Sequence, residues 1–187
     1  MNAIIYLRNC TVSKLGEQIV SQRPRPHYTD KNSTQTLRQG LEEYYAVNPN
    51  ATNPKELSPE FAKILLAHDV THIILGCDTD MYDEIKLLPL CFWTSDYKFS
   101  DYLRTVKDPT ISPAIGIMYD DLLKQHGVLW LYGSIFWVLP QLLPELIVMR
   151  FKTRGVRKYF PFFDWEPLFD ISLLEIRQEF DLLPFIK

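Results

Sequence analysis

Residues 58 to 76 constrain the fold more than any other part of the chain. Ser58, Pro59 and Glu60 supply a capping hydroxyl, a proline tolerated at the first helical position and an acid suited to the positive end of the helix dipole, so a helix starts at Pro59. Gly76 provides its stop. At roughly 100° per residue, Phe61, Leu65, His68, His72 and Leu75 fall on one side, and Leu66, Val70, Ile73 and Ile74 cover much of the other. Such a helix has no face for water and belongs at the centre of a core. With 187 residues, the chain suits one domain around that helix and is too short for two of ordinary size. We expect a single domain over residues 1–187.

Glycine is scarce at 7 residues and proline plentiful at 13, a combination that suits helices punctuated by proline. The expected fold class is therefore all-α, an irregular helical bundle with one central buried helix. A second helix is expected around Gln35 to Tyr45, where Leu37, Leu41 and Tyr44 recur at helical spacing behind Asn32 or Ser33 as caps. The run Asn48 to Glu56 reads as a turn-forming separator. Residues 128 to 149 are very apolar, but Pro140, Gln141, Pro144 and Glu145 are expected to break them short of the ~20 apolar residues that span a bilayer.

Charge excludes one partner class: 20 Lys+Arg against 23 Asp+Glu give a net charge of -3, without the basic excess that phosphate backbones demand. No nucleic-acid partner is expected. Cys10, Cys77 and Cys91 are odd in number and form no Cys-x-x-Cys pair, which argues against a disulfide framework or thiolate zinc cluster and for a reducing cytoplasm. The first 25 residues lack the apolar run of a secretory signal, so the chain is expected to act where it is made.

The chemistry gathers at His68-Asp69-Val70-Thr71-His72. Two imidazoles at i and i+4 share one helix face and can reach a single divalent ion. Asp69 lies ~60° around the helix from His72, close enough to ligate or to orient an imidazole from behind. On a straight helix Glu84 would stand ~18 Å further along the axis, so it can join only if the chain turns back. Gly76 and Cys77-Asp78-Thr79-Asp80 supply that turn, which brings Glu84 back in the first turn of the next helix. Imidazole and carboxylate donors suit zinc, iron or manganese. A bare His-x-x-x-His pair also occurs in hydrogen-bonded cores. The apolar companions and the returning glutamate favour the cation, because buried charges require partners. Asp78, Asp80 and Asp83 form either a solvated acidic loop or a set of hard ligands for magnesium.

These residues resemble a known pattern. His-Asp-x-x-His, eleven residues, then Glu, followed through Ile73-Ile74-Leu75-Gly76, is similar to the signature of the coenzyme Q biosynthesis protein 4 family. Trp165-Glu166, Phe169-Asp170, Leu173 and Ile176-Arg177-Gln178-Glu179-Phe180 resemble that family's terminal helix. The likeness covers roughly residues 58 to 90 and 160 to 183, and departs at Asp83, where the family has Gly, and in the acidic turn, where it has Pro. It implies a mostly helical fold, zinc held by His68, Asp69, His72 and Glu84, and binding of polyprenylated quinone precursors. It also implies a carboxy-lyase role on a polyprenyl-hydroxybenzoate, and peripheral attachment to the membrane where quinone is made, which we expect at its cytoplasmic face. Its implied partners are a second copy of the chain and other quinone-biosynthesis proteins.

A lipid partner has modest independent support. Trp130, Tyr132, Phe136 and Trp137 precede Arg150, Lys152, Arg154, Arg157 and Lys158, a basic patch that could meet anionic headgroups or a prenyl phosphate. A buried core helix with a solvated basic tail fits the same residues, and the resemblance tips the choice to the membrane. The residues expected to meet the lipid or its head group are Phe61, Leu65, Trp130, Trp137, Arg150 and Arg154, with the isoprenoid tail in an apolar tunnel opening at the metal motif. Two alternatives stand beside this reading. One is a non-catalytic prenyl-lipid carrier or scaffold with a structural metal. The other is a His-Asp phosphohydrolase that recruits His27 and Asp120 or Asp121, which leaves Glu84 without a role.

Overall fold

The structure is a computed structural model that describes residues 24–49 and 57–186. Among the described residues seven α-helices run in order: α1 Leu37–Val47, α2 Pro59–Leu75, α3 Met81–Thr94, α4 Phe99–Lys107, α5 Ser112–His126, α6 Val128–Lys152 and α7 Leu173–Glu179. Among the described residues there is no strand, only isolated bridges at Thr36 with Ser172 and Ser95 with Phe160. The all-α class is as the sequence indicates. Most of the Asn48–Glu56 separator and the first 23 residues, with Cys10, lie outside the described residues.

Helix α2 begins and ends where its sequence directs. The Ser58 hydroxyl accepts the Phe61 N–H, and Gly76 takes φ 62°, with Gly76 and Cys77 amides returning to the Ile73 and His72 carbonyls. A Cβ on Gly76 would stand 2.9 Å from Ile186 Cγ2, so both its conformation and its surroundings require glycine. Val70, Ile73, Ile74 and Leu75 are buried in the main core with Leu37 and Tyr44 of α1, Leu87 and Leu90 of α3, and Leu173 and Ile176 of α7. Helix α1 crosses α2 so closely that a Cβ on Gly40 would meet Ile73 Cγ2 at 2.6 Å. The α1 cap is Thr36, which exchanges bonds with Gln39, and not Asn32 or Ser33; the Thr-x-x-Gln box was the deciding signal.

One buried cation ties the halves of the chain together. Arg177 is fully buried on α7, and its guanidinium donates to the carbonyls of Ile73 (2.8 Å), Ile74 (3.0 Å), Tyr28 (2.6 Å) and Asp30 (2.5 Å). It occupies the negative end of α2, where orphan carbonyls need donors. Burial lowers its pKa to about 10, still well above neutrality.

Helix α6 corrects the sequence expectation. It is one continuous helix of 25 residues that carries Pro140 and Pro144 inside it, and with its 3₁₀ extension to Gly155 it is long and apolar enough by length and composition to cross a membrane. Leu131, Val138, Leu142 and Met149 form a buried seam; the first three pack with Met81, and with Tyr82 and Ile85 of α3. Both prolines are exposed, so the carbonyls they deprive of a donor lie away from that seam. The other side carries exposed Leu129, Tyr132, Phe136, Trp137, Leu143, Ile147 and Phe151.

Candidate metal centre and its apolar cavity

The turn at Gly76 does what the spacing requires. Asp80 caps α3 by accepting the Asp83 N–H, and Glu84 follows in the first turn, facing back onto α2. One nitrogen of His68, one of His72 and a Glu84 oxygen lie within 4.8 Å of one another, the set of His, Cys, Asp and Glu among the described residues that could hold a metal. His72 Nε2 is 3.3 Å from Glu84 Oε1, and His68 Nε2 is 3.7 Å from Glu84 Oε2. Two donors bound tetrahedrally to zinc at ~2.0–2.1 Å stand about 3.3–3.5 Å apart, so the Glu84 contacts are already near that spacing, and the triad as a whole, spread within 4.8 Å, must contract by about 1 Å to close on an ion.

Hydrogen bonding makes the case from a second direction. His72 is wholly buried, and its Nδ1 lies 3.3 Å from the Cys77 carbonyl, which can only accept. Nδ1 therefore carries the proton, and neutral His72 turns the lone pair of Nε2 toward Glu84. A lone pair facing a carboxylate needs a cation between them, either a proton or a metal. His72 Nε2 and His68 Nδ1 are buried without a hydrogen-bond partner. Burial opposes protonation of His72, but the Glu84 carboxylate outweighs it and raises the imidazole to about 9 when only protons are available. Burial likewise pushes Glu84 up, and His72 and His68 together hold it below its ordinary value.

Asp69 is engaged elsewhere. Its two carboxylate oxygens accept the hydroxyls of Tyr44 and Tyr45, each at 2.9 Å, and Oδ1 stands 3.7 Å from His68 Nδ1. Burial and the adjacent Asp69 push the Tyr45 hydroxyl well up, so it keeps its proton and donates. Asp69 thus sits behind His68 within electrostatic reach but beyond hydrogen-bond distance, and is not one of the three gathered donors. Tyr44 reads from the sequence as a core position of α1 and Tyr45 as its end, and neither is expected at the site; helix α1 brings both onto α2.

The aspartates of the turn are occupied as well. Asp83 is buried, bonded to Lys86 at 2.5 Å and Arg25 at 2.6 Å, and accepts the Asp78 N–H. Asp80 caps α3, and the Asp78 carboxylate accepts the Thr79 N–H. His27 pairs with Glu43 and Asp121 with Lys124, so neither is drawn to the triad.

An almost wholly apolar cavity of ≈120 Å³ opens beside the triad, bounded by Ile64, Leu87, Leu88, Phe92, Tyr97 and Phe162, with His68 and Glu84 in its wall. Tyr97 and Phe162 are stacked at 4.2 Å and hold part of that wall. Phe61 and Leu65 are not among its lining residues, and Ile64 takes the place Leu65 was expected to fill. Of the residues expected to meet lipid, Trp130 packs into the α3–α6 cluster and Trp137 is half exposed on α6. Arg150 stacks on Trp93 and Arg154 on Phe151. Arg157 and Lys158 are paired with Asp181 and Glu179, whereas Arg150, Lys152 and Arg154 are exposed and make no ion pair among the described residues.

Compared with family models, with curated proteins and with solved structures, the chain matches none.

Proposed function

We propose that the protein is a divalent-metal-dependent, isoprenoid-lipid-binding component of quinone biosynthesis that acts in removing the ring carboxylate of a polyprenyl-hydroxybenzoate. The observation that carries this reading is the junction of the His68, His72 and Glu84 donors with an apolar cavity. Two imidazoles and a carboxylate suit zinc better than magnesium, which prefers an all-oxygen shell. Three protein donors leave a fourth position for substrate, the pattern of catalytic rather than structural zinc. When bound, such a cation supplies Lewis-acid stabilisation of the negative charge that develops as CO₂ departs. The chain does the rest. The Cys77 carbonyl fixes the His72 ring, the Asp69 carboxylate, held by its two tyrosines, places a negative charge behind His68, and the apolar wall adjoins the charged corner.

The exposed apolar side of α6, ending in Arg150, Lys152 and Arg154, is suited to lie on an anionic cytoplasmic membrane surface where such a lipid resides. A second copy of the chain and other proteins of the pathway are its expected partners. The test is release of labelled CO₂ from a carboxyl-labelled polyprenyl-hydroxybenzoate by the zinc-loaded protein. Wild type should release it and Glu84→Gln should not. Lipid retained by both without CO₂ from either would favour the carrier reading.

A further inference from the structure

The volume of the cavity decides which part of a prenylated aromatic it can take. An apolar cavity of ~150 Å³ holds one benzene molecule, whereas sites that enclose drug-sized ligands run to ~300–1,000 Å³. At ≈120 Å³, the space beside the triad matches a single ring and is far too small for a tail of several isoprene units. We infer that this cavity is a subsite for one aromatic ring bearing an acidic substituent, and that the isoprenoid tail stays outside it. This rests on the metal-centred reading above and reverses the expectation of a tail buried in a tunnel.

Three further observations give the ring its orientation. Thr71 and Thr105 also line the wall, but their hydroxyls are engaged with the Ala67 carbonyl and the Tyr97 hydroxyl, so of the lining residues His68 and Glu84 are the pair that can hold a cation and a ring has one place to direct a charged group. Two neutral imidazoles and one carboxylate around a divalent ion leave a net positive charge, which selects a carboxylate or phenolate. The rim lies at Leu88, 43% exposed, about 60° around α3 from Ile85, which packs in the α3–α6 cluster. A tail attached to the ring therefore leaves past Leu88 toward the flank of α6, whose outer side is apolar.

The zinc-loaded protein is titrated with 4-hydroxybenzoate as the ring alone and with farnesol as the tail alone, reading the methyl NMR signals of Ile64, Leu87 and Leu88. The ring should shift these methyls saturably at one equivalent, and excess farnesol should not displace it. Leu88→Trp, which fills the cavity, should weaken 4-hydroxybenzoate at least tenfold with zinc content unchanged, while Leu88→Ala, which opens it, should retain binding. Competitive displacement by farnesol would put the tail in the cavity and overturn the inference, yet leave the metal-centred lipid reading intact. Methyl signals that do not respond to 4-hydroxybenzoate would overturn it too. Loss of zinc from the wild type would instead strike the underlying reading.

Discussion

The buried charges explain both the stability of the site and its readiness for a cation. Arg177 satisfies carbonyls of α2 and of the Tyr28–Asp30 segment at once, so Arg177→Met should strand several acceptors and cost about 3–5 kcal/mol of stability in urea unfolding. A loss below about 1 kcal/mol would show that water replaces the guanidinium. Asp83 gives a pH signature. Burial pushes its carboxyl up, but Lys86 and Arg25 outweigh burial and hold it below its ordinary 3.8. The folded state thus binds this proton less readily than the unfolded chain. Its stabilisation is fully present above about pH 4 and is lost as pH falls through the lowered value. Acid unfolding of the wild type should include this slope, and Asp83→Asn, less stable at neutral pH, should lack it.

Among the elements, α2 and the start of α3 were legible because their signals are local: a cap, a proline, a glycine, and histidines at helical spacing. The return of Glu84 could be deduced from chain length alone, since no straight helix reaches. What the sequence concealed is tertiary. Asp69 looks equally able to ligate or to orient, and only the crossing of α1 at Gly40, which delivers Tyr44 and Tyr45 to its two oxygens, takes it out of the donor set. Phe162 reaches the cavity from about ninety residues beyond His68, with no periodicity to announce it. Pro140 and Pro144 read as helix breaks, yet burial of the Leu131–Met149 seam against its neighbours outweighs two missing hydrogen bonds on the outer side. That outer side carries its own prediction. At ~1 kcal/mol per cation, replacing Arg150, Lys152 and Arg154 together by Gln should weaken binding to anionic vesicles by about 3 kcal/mol, roughly a hundredfold. Phe136→Glu should weaken it without altering the salt dependence. A wild type that never co-sediments with anionic vesicles at low salt would refute the membrane role of α6.

At the scale of the whole molecule, one buried helix organises everything: its C-terminal carbonyls hold Arg177, its middle carries Asp69 and both histidines, and its flank lines the cavity. The fold thereby presents three donors and an apolar wall in one place, while the acids of the neighbouring turn are spent on capping and on pairing with Lys86 and Arg25. The central claim is that this place is built for a divalent ion. The most direct test is metal stoichiometry of the purified protein after dialysis against zinc, with helicity followed in parallel by circular dichroism. We predict one tightly held zinc per chain in the wild type, none in His72→Ala or Glu84→Ala, and near-native helicity in both variants. Zinc absent from the wild type, or retained in full by both variants, would contradict the account.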